Sequence, residues 1–285
     1  MTAAAVAALE TTSQYLAIGH YSASTIRNYL TELRYFFCYH SDTDPMLFTE
    51  AMTMDYLLYL SKTLQRSRVK CRLAAYSISF FFKHTLKKEY LIPGVIFPRK
   101  NTVLPPVMNT DEIAALINHI KNIKHRTLVV LLYSAGLRVS EIAALKITDI
   151  DSKAMRIKVV QGKGGKDRFT ILSQQVLLEL RAYYLICRPE VYLFNGATKG
   201  RPISVRNIQH SIHKALLQLG LQSKNYSVHT IRHSFATHLL DNGTDLFTIK
   251  ELMGHAQLQT TMQYLHLTSR RVSNITNPFD ALNKK

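Results

Sequence analysis

Apolar residues recur at three- and four-residue intervals along most of the chain, and one stretch breaks that rhythm. In STIRNYLTELRYFF, Ile26, Tyr29, Leu30, Leu33, Phe36 and Phe37 fall on one helical face, and Ser24 is the expected cap. Two more helices are predicted near 53–64 and 67–88. Further on, Asn109 and Thr110 offer caps for a helix through about 121, and a second apolar helix runs to Ala135 and turns sharply at Gly136. Helical spacing returns near 173–187, 204–219, 229–241, 245–253 and 257–267. Between these, MRIKVVQGKGGKDRFTIL alternates Met155, Ile157 and Val159 with Arg156 and Lys158, turns through Gly162–Gly165, and resumes an apolar strand. This predicts a β-hairpin whose glycine-rich tip carries Lys163. The expected fold class is mainly α with a small antiparallel β-sheet.

Four of the eight prolines lie between Pro93 and Val107, where they break helix and favour an extended connector. The expected organisation is a helical domain over 1–92, a linker over 93–108 and a second domain over 109–285. A length of 285 residues is enough for two domains with separate cores.

Charge changes the picture more than composition does. The chain carries 36 Lys+Arg against 19 Asp+Glu, a formal net charge of +17, and the excess is present in both halves. A folded, basic, bipartite chain suggests a clamp around a polyanion, nucleic acid or an anionic membrane surface. The apolar runs, such as LVVLLYSAGL from Leu128, fall far short of the roughly 20 residues that span a bilayer. The N-terminus lacks a basic leader region and Glu10 interrupts it, so a cytoplasmic protein is expected. Cys38, Cys71 and Cys187 form no CxxC pair; reduced, core-buried thiols are expected, with no zinc ribbon and no disulfide framework.

The segment from His229 to Leu267 gathers groups that bind anions and move protons. His229 and Arg232 share one helical face a turn apart, Gly254 leaves His255 at a helix C-terminus, and Tyr264 follows in another helix. Arg138 stands at a helix start after Gly136, and Lys163 sits on the hairpin. Guanidinium forks match phosphate oxygens, so the expected anion is a phosphodiester held by two arginines. Tyrosine is a weak nucleophile at its ordinary pKa of about 10 and needs a proton acceptor. His229 is the expected base, His255 a phosphate partner, and Lys163 the acid for the leaving oxygen. The scheme calls for no metal and no cofactor, because the arginines supply the positive charge.

In this order and spacing the residues resemble the tyrosine recombinases, the phage-integrase and Xer-like group. SAGLRVSEIAAL resembles the first arginine box, at Arg138; QGKGGKDR the lysine hairpin, at Lys163; HTIRHSFATHLLDNG the His-x-x-Arg box, at His229 and Arg232. LMGH supplies His255, and TTMQYLHL resembles the nucleophile box, at Tyr264. The resemblance covers 109–268 strongly and, less specifically, an N-terminal core-binding (SAM-like) DNA-binding domain; the second domain is then the catalytic one. It implies a site-specific recombinase for integration, excision, inversion or resolution, acting through a 3′-phosphotyrosine. Its partners would be double-stranded DNA and three further copies, a homo-tetramer on two sites, with a monomer allowed in solution.

Blander readings compete at single residues. His229 and His233 could form a zinc pair, but Thr230 removes the His-Glu-x-x-His pattern. His233, His238 and His266 read as structural or hydrogen-bonding. Glu141 reads either as a buttress for Arg138 or as an exposed helix acid. The basic start of the 67–88 helix reads either as a solvated face or as a phosphate-tracking one. Val272, Ile275, Phe279 and Leu282 give the tail helical spacing, either to fold back on its own core or, by the resemblance, to dock on a neighbouring subunit. A type IB topoisomerase and a non-catalytic DNA-binding regulator are the rival functions.

Overall fold

The computed structural model describes residues 1–88, 104–160, 167–198 and 200–268. The chain divides into two compact units, Met1–Asn101 and Thr102–Lys285. Most of the expected linker, the tip residue Lys163 and the tail beyond 268 lie outside the described residues. Among the described residues no helix is long and apolar enough to cross a membrane.

Among its described residues the N-terminal unit has helices and no strand. Helix α1 (Ala3–Ile18) was not expected from periodicity, because its alanine-rich start carries no apolar stripe. Alanine's high intrinsic propensity and the Thr2 hydroxyl, which accepts the Ala5 N–H at 3.2 Å, account for it. Helix α2 (Ala23–Tyr39) is capped by Ser22, two residues before the expected Ser24: its hydroxyl accepts the Thr25 N–H at 3.2 Å. Helix α3 (Glu50–Leu58) runs into a π-turn over Tyr59–Thr63, and α4 (Arg68–Phe80) into another over Phe81–Thr85. Phe36, Phe37, Phe48, Tyr56 and Phe81 interlock in the core, with Phe36 and Phe48 centroids 4.9 Å apart. The basic start of α4 is divided in use: Lys70 pairs with the buried Glu32, whereas Arg72 lies over the Tyr76 ring. Only Cys71 of the three thiols is buried. Cys38 and Cys187 are exposed on the outer faces of their helices, contrary to the expected three core cysteines.

The second unit is built around helix α6. Helix α5 (Thr110–His119) opens with a capping box between Asn109 and Glu112, and α6 (Ile123–Ala135) buries Leu128, Val129, Leu131, Leu132 and Ala135. Short helix α7 (Val139–Ala144) precedes an antiparallel sheet of β1 (Ile150–Asp151), β2 (Arg156–Val159) and β3 (Arg168–Ile171), in that order. The β2–β3 pair is the expected hairpin; β1 is a two-residue edge too short to leave an alternating pattern. β3, expected as an apolar strand, alternates instead and turns its polar residues inward. Arg168 and Thr170 face inward, and Phe169 and Ile171 are exposed, Phe169 under the Arg156 guanidinium at 4.2 Å. Helices α8 (Gln174–Cys187), α9 (Val205–Gln218), α10 (Val228–Asp241), α11 (Leu246–Met253) and α12 (Gln259–Met262) complete the unit, and a 3-10 turn over Gln263–His266 ends the described chain's regular structure. The last expected helix is thus a short α-turn running into a 3-10 turn.

Candidate active site

Two helix ends and one strand converge on a single carboxylate. At Gly136 the chain leaves α6 with φ +59°, and a Cβ there would come within 2.3 Å of Phe235 Cδ1, so only glycine fits. That turn puts Arg138 at the N-cap of α7. Glu141, in the first turn, folds back: Oε2 accepts the Arg138 backbone N–H at 2.7 Å and Oε1 accepts Arg138 Nη1 at 2.7 Å. The side chain of Glu141 is 6% exposed, so it buttresses Arg138 and is no surface acid.

The opposing wall is the C-terminal end of α11, which closes on Gly254 with φ +61°. A helix end leaves its last carbonyls without intrahelical partners and carries the negative pole of the helix dipole. Here three successive carbonyls each receive a different guanidinium. Leu252 accepts Arg168 Nε at 2.9 Å, Met253 accepts Arg232 Nη2, and Gly254 accepts Arg138 Nη2 at 3.0 Å. Arg232 also donates Nη1 to the Gly136 carbonyl, which ties α10 to the turn before α7. Arg168 spans both hubs, donating Nη1 and Nη2 to the two Glu141 oxygens at 2.8 Å each.

This crowding sets the protonation states. Burial alone would raise the Glu141 carboxyl, but hydrogen bonds from Arg168 and Arg138 hold it at about 2. Burial, and then the Arg138 charge, draw Arg232 down to about 9. His255, 3.5 Å from Arg232 Nη2, is lowered to about 3 by burial and by the three arginines. An imidazole so placed is neutral, and its Nδ1 lies 2.9 Å from the Thr261 hydroxyl.

Tyr264 sits beside this cluster on the 3-10 turn after α12, only 1% exposed. Its ring lies nearly parallel to His255, with centroids 6.2 Å apart, and its hydroxyl is 3.0 Å from Nδ1 of His233. Burial raises the phenol pKa, against the opposing pull of Arg232. His233 is held down to about 4 by burial, then by His229 and Arg232, so the neutral ring can accept the phenol O–H.

Of the residues expected from sequence, Arg138, Arg232, His255 and Tyr264 meet in one place. His229 is exposed in the first turn of α10, four residues before the histidine that touches the phenol. Lys163 lies outside the described residues. His233, which the sequence reads as structural or hydrogen-bonding, does hydrogen-bond, to the Tyr264 hydroxyl, and Arg168, within the QGKGGKDR hairpin, joins the cluster without having been singled out by its sequence context. The signal for Arg168 was strand parity, since it shares an inward face with Thr170. Among the described residues no cluster of three or more His, Cys, Asp or Glu could hold a metal ion.

The profile of the phage integrase family matches residues 106–271, and that of the phage integrase N-terminal SAM-like domain matches 9–92. The putative integrase/recombinase y4qK of Sinorhizobium fredii (strain NBRC 101917 / NGR234) is 34% identical over 271 residues, 95% of this chain and 87% of that protein. Tyrosine recombinase XerC of Syntrophus aciditrophicus (strain SB) is 33% identical over 281 residues, 88% of this chain and 89% of that protein. Among solved structures, the XerH site-specific recombinase bound to palindromic difH substrate, a post-cleavage complex, matches with a TM-score of 0.71 at 21% identity. That match covers 86% of this chain and 77% of the other, and it is a likeness of fold.

Proposed function

The chain belongs to the phage integrase family and is a site-specific tyrosine recombinase, and we propose that it cuts and rejoins double-stranded DNA through Arg138, Arg232, His255 and Tyr264, with His229 and Lys163. The observation that carries this reading is the pair of guanidiniums on adjacent carbonyls of one helix end, beside a phenol flanked by two neutral imidazoles. The +17 charge supports a polyanionic partner, and the XerH neighbour is a site-specific recombinase bound to its palindromic difH substrate.

In the proposed reaction Arg138 and Arg232 take the two non-bridging oxygens of the scissile phosphate, and His255 donates a further hydrogen bond to it. Positioned arginines of this kind contribute roughly 10³–10⁵ in rate. The Tyr264 oxygen attacks phosphorus, the bond to the 5′ oxygen breaks, and a 3′-phosphotyrosine forms. Lys163 protonates the leaving oxygen. The phenol proton passes to the imidazole side, where His233 makes contact and His229 stands a turn away. The phosphate's charge raises both depressed imidazoles towards their working range. A 5′-hydroxyl from the partner duplex then reverses the step and reseals the strand. Each exchange conserves bond energy, so no nucleotide is consumed. Four copies on two sites, acting in the cytoplasm, would carry out two such rounds through a Holliday junction.

Covalent trapping tests the reading. The protein is incubated with nicked, fragmented host DNA and denatured, and the DNA ends that remain attached are sequenced, with Tyr264→Phe alongside. Adducts through the 3′ end at a recurrent sequence, absent from the variant, are the expected result. Scattered adducts would point to a topoisomerase. No adduct on DNA that the protein binds would point to a regulator and overturn the proposal.

A further inference from the structure

Arg168 has no part in the reaction described above, yet like Arg138 it touches both hubs of the site, Glu141 and the carbonyl end of α11. Its side chain is 10% exposed, and its stem packs so closely on the α11 terminus that a Cβ on Gly254 would fall 2.7 Å from Arg168 Cδ. A carboxylate offers about four acceptor positions. Glu141 fills them with the Arg138 N–H, Arg138 Nη1, and Nη1 and Nη2 of Arg168. Arg232 Nη1 waits 3.7 Å from Oε2, too far for a hydrogen bond.

We infer that Arg168 is a positioning residue that saturates Glu141, so that this carboxylate cannot compete with the substrate phosphate for the donors of Arg138 and Arg232. Without Arg168, one acceptor position opens on each Glu141 oxygen. Donors at hand to fill them are Arg232 Nη1, 3.7 Å from Oε2, and Nη2 of Arg138, both on guanidiniums assigned to the phosphate. Three guanidiniums around one carboxylate leave two formal positive charges in the cluster. Removing Arg168 leaves one, and Glu141 then neutralises part of the anion site itself. The Nε bond to Leu252 adds a second constraint, because it fixes β3 against the helix end that presents His255. The inference rests on the reading of Arg138 and Arg232 as phosphate ligands.

The test uses single-turnover cleavage of a nicked duplex carrying the trapped recurrent sequence. The scissile position is either a phosphodiester or an uncharged methylphosphonate. Arg168→Met keeps the stem and removes the charge. It should bind DNA normally, cleave the phosphodiester about 10²-fold more slowly, and lose less than about 10-fold on the methylphosphonate, which needs less positive charge. Arg168→Lys keeps the charge but fills one acceptor position. It should show an intermediate loss with the same substrate preference, and it serves if the Met variant does not fold. Equal losses on both substrates, in whichever variant folds, would mean that Arg168 only holds the structure together. No loss on the phosphodiester would make it a bystander. Arg138→Ala is run in parallel: if that variant cleaves normally, the phosphate-ligand reading fails first, whereas an impaired Arg138→Ala beside an unimpaired Arg168→Met removes this inference alone.

Discussion

Each unit of the molecule buries one glutamate beside basic side chains, and the two are used in opposite ways. Glu32 in α2 has a 2% exposed side chain and one partner, Lys70, itself 37% exposed; its second oxygen is buried with no hydrogen-bond partner. Glu141 is 6% exposed and has every acceptor position filled by two arginines. Burial is nearly the same, so burial alone does not separate scaffold from site. The difference lies in the donors. A half-satisfied acid tolerates change around it, whereas a saturated one fixes the position of every group that saturates it.

The largest effect should come from Glu141→Ala. It leaves Arg138, Arg168 and Arg232 packed together with no counter-charge, and removing one partner of a buried ionic cluster costs about 3–5 kcal/mol. Urea unfolding at pH 7 checks this. A cost below about 1 kcal/mol, in the range of exposed ion pairs, would erase the distinction between the two glutamates.

Acid should cut nearly as deep. The folded carboxyl of Glu141 titrates near 2, below the 4.5 of the unconstrained group, so its contribution is present above about pH 4.5 and is lost as pH falls towards 2. That difference corresponds to about 3 kcal/mol. His233 and His255, held near 4 and 3, act in the same direction: below pH 6.5 the unfolded chain binds protons that the folded one refuses. Stability should therefore climb from about pH 3 to pH 6.5. Urea midpoints across that range should fall on the acid side, and Glu141→Gln should flatten the lower part of the curve. An unchanged acid limb in that variant would place the titration elsewhere.

The same contrast explains how far the sequence could be read. Periodicity located the helices from α2 through α11, apart from the six-residue α7, of which only the start at Arg138 was legible, because each carries an apolar stripe or a capping residue. It missed α1, whose alanines form helix without a stripe, and it placed the α2 cap at Ser24 because both serines precede the same apolar face. The candidate cluster was legible in residue types that suggest anion binding, since Arg138, Arg232, His255 and Tyr264 do come together. What the sequence does not show is which side chains touch across the fold. Whether His229 or His233 meets the phenol is decided by the depth of one helical turn. Arg168 reaches Glu141 and Leu252 only because β3 turns its polar residues inward, against the usual apolar-in pattern.

The smallest expected effect tests the other side of the comparison. Glu32 faces Tyr35, Tyr39, Tyr56 and Tyr59, and burial followed by the Glu32 charge pushes the Tyr56 phenol upward. Its desolvation is only half compensated, because one oxygen has no donor and the Lys70 side chain is more than a third exposed. Glu32→Gln keeps the shape, removes the charge and leaves Lys70 free to reach solvent. The change should cost less than about 1 kcal/mol, and could stabilise the unit, since a buried ion pair often contributes little over a neutral replacement. Urea midpoints at constant slope measure it directly. A loss of several kcal/mol would mean that the second oxygen is held after all, by a buried water with partners among the tyrosine hydroxyls. In that case Glu32, like Glu141, would be a saturated hub, and α2 and α4 would be as rigidly bound to each other as α7 is to α11.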